Sequence, residues 1–520
     1  MSILVFSLSN CRVDPKLTDR YGADVAWTSE KNLQLYLNSF YPLIGQSYYT
    51  SAVEMDAYAD LLKMNTPVDN VNQAIFGSVT ISPSNNMLGN WDWGYSWVKN
   101  CNEFLEGLEK YGGDLPADAV ARAGAEVKWF RAYVYFEMAK RYGATLLLKD
   151  KLTMDPNFKL GTPDECWNFI EKDLDSAAAH LPVTVLAGEK GKLTKGAAYG
   201  LKARAMLYAK RWKKASDAVE ALDALKQYDL YPNYGELFTL RRAGNEVNKE
   251  SIVEFGFSSP DFGYSFDYFY CPPGDKGYAQ VSPTENLVGA YQMADGTDFS
   301  WDNATMAAKP YEGREPRFYA SVLYNGAAWK GRTVETFEGG VDGFAFGGGT
   351  TCTGYYMRKL FDGSKKTQTD GFLPGDLTYY FMRYAEVLLI YAEAMAEQGS
   401  IDKALTALNK VRARAGFTTP VTAGSKDEFM RLLRHERMVE LAFEGHRFWD
   451  LRRWGLAKTV LNNTNCTGIK ITKTGTDWNY EKIDCDNGKK RVYPEKYDRF
   501  PIPTVEIQRN PLCEQFPEWK

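Results

Sequence analysis

The stretch that decides the fold is RHERMVELAFEGHRFWDLRRWG, residues 434–455. Glu436, Glu440 and Glu444 recur at four-residue steps, so a helix would carry them on one face. Stacked carboxylates repel one another unless cations neutralise them. The sequence therefore predicts an ion-paired network with the nearby arginines, which are Arg437, Arg447, Arg452 and Arg453. A hydrolase would instead use two of the glutamates as acid and base, and this alternative is the weaker one.

Helical periodicity extends from this stretch to both halves of the chain. Apolar residues recur at three- and four-residue steps in 120–142, 194–210, 213–225, 379–398 and 401–415. Gly143 is predicted to end the first of these helices. The helices fall into pairs of roughly 34 residues, the length of a tetratricopeptide unit. The expected fold class is all-α, with a scaffold of tetratricopeptide-like helical pairs.

Between about 232 and 375 the helical pattern fades, and Gly, Pro, Asn and Thr become frequent. A second irregular stretch spans about 64–95. Long irregular segments inside a compact protein are uncommon and usually carry function. The sequence therefore predicts a large, loop-rich, ligand-binding portion within the helical scaffold.

Eight segments, taken in order, resemble the signatures of one family. The N-terminal half contributes 130–143, 193–198 and 203–208, and 314–319 follows. The C-terminal half contributes FMRYAEVLLIYAEA (381–394), NKVRARAG (409–416), residues 434–455 and FPIPTVEIQRNP (500–511). Together they are similar to the SusD/RagB family of outer-membrane nutrient-binding lipoproteins, and they cover nearly the whole chain.

The resemblance implies a surface-exposed protein held on a bacterial outer membrane by an N-terminal lipid. It implies a SusC-like TonB-dependent transporter as partner and, in most members, a glycan as ligand. It implies no catalytic activity and no cofactor. Cys11 is then the acylated residue.

The first residues support this anchor on their own. Residues 3–10 form an apolar run that ends in small or polar residues before Cys11, as at the end of a lipoprotein signal. The alternative is a short buried strand that ends in a free cysteine. The expected division is a signal remnant (1–11), a tether (12–30) and one domain (31–520). Within that domain we expect a helical scaffold (31–230 and 376–460), the loop-rich insertion (232–375) and a closing segment (461–520).

Composition excludes several other classes of protein. The 62 Lys and Arg nearly balance 66 Asp and Glu, which argues against a nucleic-acid-binding surface. The sequence contains no run of about twenty apolar residues, so it predicts no membrane-spanning helix. Only three histidines are present and no CxxC spacing occurs, so no metal site is expected. Seven cysteines remain besides Cys11, an odd number that argues against a complete disulfide framework.

Aromatic residues make up 14% of the chain, and many lie in the irregular stretches. A pyranose ring presents a face of C–H bonds that Trp and Tyr can stack against, while Asn, Asp and Arg bond its hydroxyls. Candidate glycan-binding residues on this basis are Trp91, Trp93, Tyr264, Tyr268, Tyr270, Trp301, Asn303, Trp329 and Arg332. The alternative is that each ring packs an irregular region. Trp91 and Trp93 in particular precede a helix predicted at 97–108 and would staple its start.

The sequence thus predicts a non-catalytic protein that captures oligosaccharide and delivers it to its transporter. Two alternatives stay open within the same scaffold. A RagB-like member would carry peptides, and a tetratricopeptide-type scaffold would bind other proteins. An enzyme is the third and weakest alternative.

Overall fold

The computed structural model describes residues 25–49, 52–82, 88–153, 155–185, 189–241, 248–346, 348–364 and 374–520. Cys11 and the predicted signal remnant lie outside these described residues. Within the described ranges, no helix combines the length and the apolar character needed to cross a membrane.

The described residues are mainly helical. The α-helices are α1 (Glu30–Asn38), α2 (Pro42–Tyr49), α3 (Ala52–Met55), α4 (Asp69–Ile75), α5 (Trp91–Tyr111), α6 (Ala117–Tyr142), α7 (Pro163–His180), α8 (Lys195–Tyr208), α9 (Trp212–Ala224), α10 (Tyr234–Leu237), α11 (Phe266–Tyr270), α12 (Glu285–Val288), α13 (Ala304–Ala308), α14 (Pro316–Ser321), α15 (Tyr384–Glu397), α16 (Ile401–Arg414), α17 (Lys426–Glu440), α18 (Arg447–Arg453), α19 (Ala457–Leu461) and α20 (Thr504–Arg509). The strands are β1 (Leu62–Met64), β2 (Ser251–Phe255), β3 (Val281–Pro283), β4 (Val322–Leu323), β5 (Ala328–Trp329), β6 (Arg332–Thr333), β7 (Tyr356–Met357), β8 (Tyr379–Arg383), β9 (Thr467–Thr474) and β10 (Asp477–Asp484).

The long helices pack against one another in chain order. Helix α5 packs against α6, α6 against α7, α7 against α8, and α8 against α9. Helix α9 also contacts α15, which packs against α16 and α17. The two helical series, separated in sequence by the loop-rich portion, therefore meet in space. This succession of packed helices is the predicted tetratricopeptide-like scaffold, so the predicted fold class is confirmed.

Small side chains allow the paired helices to approach closely. Ala394 on α15 and Ala404 on α16 are fully buried where these two helices pack. On α8, a Cβ atom added at Gly200 would come within 2.4 Å of the Met382 sulfur. The predicted turn at Gly143 is also confirmed, because this residue ends α6 with a φ of 62°, a conformation that glycine adopts without steric cost.

Two predicted boundaries are wrong. Helix α5 begins at Trp91, six residues before the predicted start. Residues 379–383 form strand β8 rather than the first turn of a helix, because they pair with β2 and are buried on both faces. A fully buried strand carries no polar face, so periodicity alone could not separate it from the helix that follows.

The loop-rich portion is held together by short antiparallel pairs. Strand β2 pairs with β8, β4 with β7, and β5 with β6. Strand β1, from the first irregular stretch, pairs with β3 of the second. The buried side chains of this portion and of the helices form one contiguous hydrophobic cluster. The loops are therefore anchored on the same core as the helical pairs.

A buried network of charges joins the family signatures. Helix α17 ends at Glu440, so Glu444 lies beyond it and not on the predicted common face. The three glutamates are nevertheless all paired. Their cationic partners are Arg317, Arg383, Arg412, Arg414 and Lys359, and Glu250 and Glu315 complete the network. The network itself is confirmed.

The predicted partners of the glutamates are wrong. Arg437 pairs with Asp450, while Arg453 pairs with both Asp450 and Glu393. Arg447 pairs with Asp60, and Arg452 donates to backbone carbonyls. The arginines that reach the glutamates come from three other signatures, at 314–319, 381–394 and 409–416. Proximity in sequence favoured the wrong arginines because the pairing is tertiary.

Candidate functional site

Two of the predicted aromatic segments meet in the structure. Helix α11 lies beside the β5–β6 hairpin, where Lys330 Nζ is 3.3 Å from an Asp267 carboxylate oxygen. The buried Phe361 ring packs against both segments. Its centroid lies 6.4 Å from that of Trp329 and 5.3 Å from that of Phe266. The junction brings together Tyr264, Tyr268 and Tyr270 with Trp329 and Arg332.

A cleft of about 400 Å³ opens beside this junction. It is bordered by α10, by α14 and by the residues that follow β7. Among its lining residues are Trp329, Tyr319, Phe361, Arg358, Asn233 and Glu236. Small-molecule sites typically combine aromatic walls with a few polar groups in a volume of about 300–1,000 Å³. We refer to this feature as the Trp329 cleft.

Trp329, which lines the cleft, has an unused hydrogen-bond donor. Its side chain is 5% exposed, and its indole Nε1 has no hydrogen-bond acceptor among the described residues. Gly363 covers part of the ring, where an added Cβ atom would lie 3.0 Å from Cζ3. A buried polar group without a partner costs about 1–3 kcal/mol. Trp329 therefore places a buried donor without an acceptor among the described residues at the wall of the cleft.

The exposed face of α11 carries a second group of rings. Tyr268 is half-buried, and its ring centroid lies 4.6 Å from that of Tyr278 and 5.1 Å from that of Phe269. Tyr278 is 52% exposed and Phe269 is 39% exposed. These three residues form an accessible aromatic surface, which we call the Tyr268 patch. Its rings are available for stacking, which the buried rings are not.

The other two predicted tyrosines, one just before this short helix and one at its end, point inward. Tyr264 packs against Phe257 and Phe266, and Tyr270 packs against Phe266. The Tyr270 hydroxyl donates to Glu54 at 2.8 Å. Both rings are buried and pack the irregular portion, as the packing alternative predicts. We do not include them in the candidate site.

Arg332 is occupied by carboxylates of its own surroundings. Its guanidinium donates to both oxygens of Asp275 and to both oxygens of Asp342, at 2.6–3.2 Å. These ion pairs raise its pKa against the lowering effect of burial. The arginine fixes the hairpin to the loops of Asp275 and Asp342. It has little capacity left for a ligand.

The other predicted residues lie away from the cleft. Trp301 donates its indole N–H to Glu285 at 2.6 Å and packs against Phe299 and Tyr480. Asn303 caps α13, because its side chain accepts from the backbone N–H groups of residues 305 and 306. Both side chains therefore have structural partners in this part of the chain.

Trp91 and Trp93 lie in the first turn of α5. Trp91 is 1% exposed, packs edge-on against Tyr142, and donates its indole N–H to Glu506 at 3.2 Å. Trp93 is partly buried against the core. The structure brings neither to the Trp329 cleft. Trp91 instead joins α5 to the C-terminal segment.

Sequence analysis missed Arg358, Tyr319 and Tyr278. Arg358 is half-buried, and its guanidinium carbon lies 5.7 Å from the centroid of the Trp329 ring. A basic pair at 358–359 inside an irregular, aromatic-rich stretch was the available signal. It does not reveal which cation turns toward a cleft. In the structure Lys359 turns away from solvent and donates to Glu444 at 2.7 Å.

A larger cleft, of about 880 Å³, lies among α1, α5 and the segment at Val25–Trp27. Its lining includes Trp27, Leu35 and Tyr111 and none of the predicted glycan-binding residues. Val25 and Ala26, the first described residues, also line it. Among the described residues, no cluster of His, Cys, Asp and Glu could hold a metal ion.

The helical pairs form a tetratricopeptide-like scaffold. This scaffold carries a loop-rich portion with an aromatic cleft, as a binding protein would. Residues 246–519 match the family described as the SusD family. Residues 17–207 match a family described as "Starch-binding associating with outer membrane". The chain belongs to the SusD family.

The chain aligns with known relatives over most of their length. A SusD-like protein of Bacteroides ovatus is 26% identical, over 83% of this chain and 79% of the relative. The crystal structure of a SusD-like protein from Bacteroides fragilis has a TM-score of 0.81 at 28% identity and covers 94% of this chain and 97% of that chain. A second B. fragilis structure, described as a SusD-like carbohydrate binding protein, also has a TM-score of 0.81 at 25% identity, over 94% and 99% of the two chains.

Proposed function

We propose that the protein is a non-catalytic glycan-binding lipoprotein of the outer-membrane surface. It captures oligosaccharide in the Trp329 cleft and delivers it to a SusC-like TonB-dependent transporter. Family membership supports the general role, since one structural relative is described as carbohydrate binding and one matching family as associating with the outer membrane. The lipid anchor at Cys11 and the transporter partner follow from the family resemblance.

The observation that carries the glycan proposal is the unbonded indole N–H of Trp329 in an aromatic-walled cleft. A sugar presents hydroxyl oxygens that accept such a donor and C–H faces that pack against rings. Tyr319 supplies a half-buried ring at the cleft, and Arg358 and Glu236 supply polar groups beside it. The cleft thus offers the mixture of flat apolar and directional polar contacts that a saccharide uses.

The charge network supports a binding role without catalysis. Burial by itself raises the pKa of Glu440, but the charges of Arg414, Arg383 and Arg317 lower it to about 2. A glycosidase needs a carboxyl group whose pKa is raised so that it can donate a proton. Glu440 is therefore fixed as a carboxylate and serves to hold the scaffold together.

Glu285 is a buried carboxyl group whose pKa is raised by burial, near Trp301. It is only 4% exposed, and its two oxygens accept from Trp301 and from Tyr355, each at 2.6 Å. No substrate can reach it in this arrangement. Its environment is that of a buried hydrogen-bonded group in the loop core.

The test is calorimetric titration of the unlipidated chain against a panel of oligosaccharides and a panel of peptides. Binding to one or more glycans, with no release of reducing ends during incubation, is the expected result. Binding to peptides alone would contradict the glycan proposal and favour the peptide-carrier alternative. Glycan cleavage would contradict the non-catalytic role.

A further inference from the structure

Arg358 differs from the arginines of the buried network in having no carboxylate partner. Among the described residues, its backbone N–H donates to the Ser321 carbonyl at 2.9 Å, and its guanidinium lies over the Trp329 ring. No ion pair links it to an Asp or a Glu within the described part of the chain. By contrast, Arg317 and Arg383 each contact more than one carboxylate.

The other charges of the cleft leave Arg358 uncompensated. Lys359, the neighbouring cation, is neutralised by Glu444. Glu236 is an exposed carboxylate of the cleft, and it accepts from the Asn233 amide at 3.0 Å without pairing with Arg358. One half-buried positive charge therefore remains without an opposite charge at the Trp329 wall.

The surroundings hold this guanidinium ready for a ligand. A cation over an indole ring is attracted by the ring's negative face, which orients the side chain without using its N–H donors. Burial lowers the pKa of Arg358, against the raising effect of Tyr324, so the charged form gains from a new counter-charge. The planar guanidinium matches the paired oxygens of carboxylates and of sulfates.

We propose that Arg358 binds an anionic substituent of the glycan, so that the Trp329 cleft selects acidic saccharides. The substituent is a uronate carboxylate or a sulfate ester, which share the oxygen geometry that the guanidinium recognises. Trp329 then donates its N–H to a hydroxyl or ring oxygen of the same or the adjacent residue. This inference rests on the proposed function and specifies its ligand class.

The test compares three oligosaccharides of similar length: a neutral glucan, an oligogalacturonide and a sulfated galactan. Affinity is measured for the wild type, Arg358→Gln, Arg358→Lys and the control Arg431→Gln. Arg431 is exposed on α17, away from the cleft, and its substitution changes the net charge equally. Thermal unfolding of each variant verifies that it is folded.

The expected result is that at least one acidic ligand binds the wild type more tightly than the neutral glucan does. Arg358→Gln should weaken that binding by about 10-fold to 100-fold, while Arg358→Lys retains part of it and Arg431→Gln has no effect. The wild-type affinity should also fall as salt rises, and this dependence should diminish in Arg358→Gln. The preferred ligand distinguishes a carboxylate from a sulfate as the substituent.

Two outcomes would overturn the inference in different ways. Binding of the neutral glucan as tightly as the acidic ligands, unaffected by Arg358→Gln, would contradict the acidic specificity and leave glycan capture intact. Absence of binding to all three saccharides, combined with binding to peptides, would contradict the proposed function itself.

Discussion

The Nη1 atom of Arg317 lies 2.9 Å from Oε2 of Glu440, although 123 positions separate the two residues. The same nitrogen lies 2.5 Å from Oε1 of Glu436. All three side chains are fully buried. The contact joins the loop-rich portion, through α14, to the helical scaffold, through α17. The signatures at 314–319 and 434–455 are therefore parts of one buried structure.

Removing one member of this network should strongly destabilise the fold. Glu440→Gln removes a negative charge that Arg317, Arg383 and Arg414 share, so the network keeps one buried positive charge in excess, and such losses cost about 3–5 kcal/mol. The free energy of unfolding, measured by chemical denaturation, should fall by that amount. The matched control is Lys309→Met, which breaks an exposed ion pair with Glu312 and should change stability by less than about 1 kcal/mol. Equal effects of the two substitutions would contradict the structural role of the network.

Acid should destabilise the protein partly through His446. Burial lowers the pKa of this residue from its ordinary 6.5 to about 4, so the folded state keeps the imidazole neutral. The unfolded chain takes up a proton between these values, and the folded state does not. Stability should therefore fall as pH drops from 6.5 toward 4, by up to about 1.4 kcal/mol per pH unit from this residue.

The measurement is denaturant unfolding across this pH range for the wild type and His446→Gln. Their stability difference should shift in favour of the variant as the pH falls. The control is His180→Gln, at the exposed end of α7, whose difference from wild type should stay constant. A pH profile of His446→Gln parallel to that of the wild type would show that His446 does not contribute.

The helical pairs could be predicted because apolar periodicity and small residues such as Ala394 are local properties of the sequence. The partners in the charge network could not, since Arg317 and Glu440 meet only through the folded chain. Strand β8 was mistaken for helix because it is buried on both faces. Local pattern thus predicted the scaffold and failed where tertiary contacts decide.

The candidate site, too, could be predicted only as far as local sequence pattern allows. Residue type and position in an irregular stretch predict Trp329 and Tyr268 as candidates, and both remain in the candidate site. Helix α11 has only five residues, too few for a periodicity that would separate Tyr268 on its outside from Tyr270 on its inside. Arg358 could not be predicted as a site residue, because only the folded structure shows that it has no carboxylate partner.

The Tyr268 patch is expected to contribute to binding of long glycans. Tyr278→Ala removes its most exposed ring and should lower affinity for a polysaccharide by about 2-fold to 10-fold, while stability changes little. Depletion binding on immobilised polysaccharide measures this effect. The control is Tyr111→Ala, at another exposed tyrosine that is distant from Tyr278 in sequence. Unchanged retention in Tyr278→Ala would exclude the patch from the binding surface.

The lipid anchor is tested at Cys11. In the native host, Cys11→Ala should abolish incorporation of labelled fatty acid and release the protein from the outer-membrane fraction, because acylation requires the thiol. Cys513→Ala, at a buried cysteine near the C-terminus, should leave both properties unchanged. Normal labelling of the Cys11→Ala protein would show that the lipid is attached at another residue.

The most direct test of glycan capture in the Trp329 cleft is titration of Trp329→Phe against a saccharide that binds the wild type. The substitution removes the unbonded indole N–H and keeps an aromatic ring at the cleft wall. Affinity should fall by about 5-fold to 20-fold. Trp478→Phe, at an exposed tryptophan of β10 outside the cleft lining, should bind as the wild type does. Undiminished affinity in folded Trp329→Phe would contradict glycan capture in the Trp329 cleft.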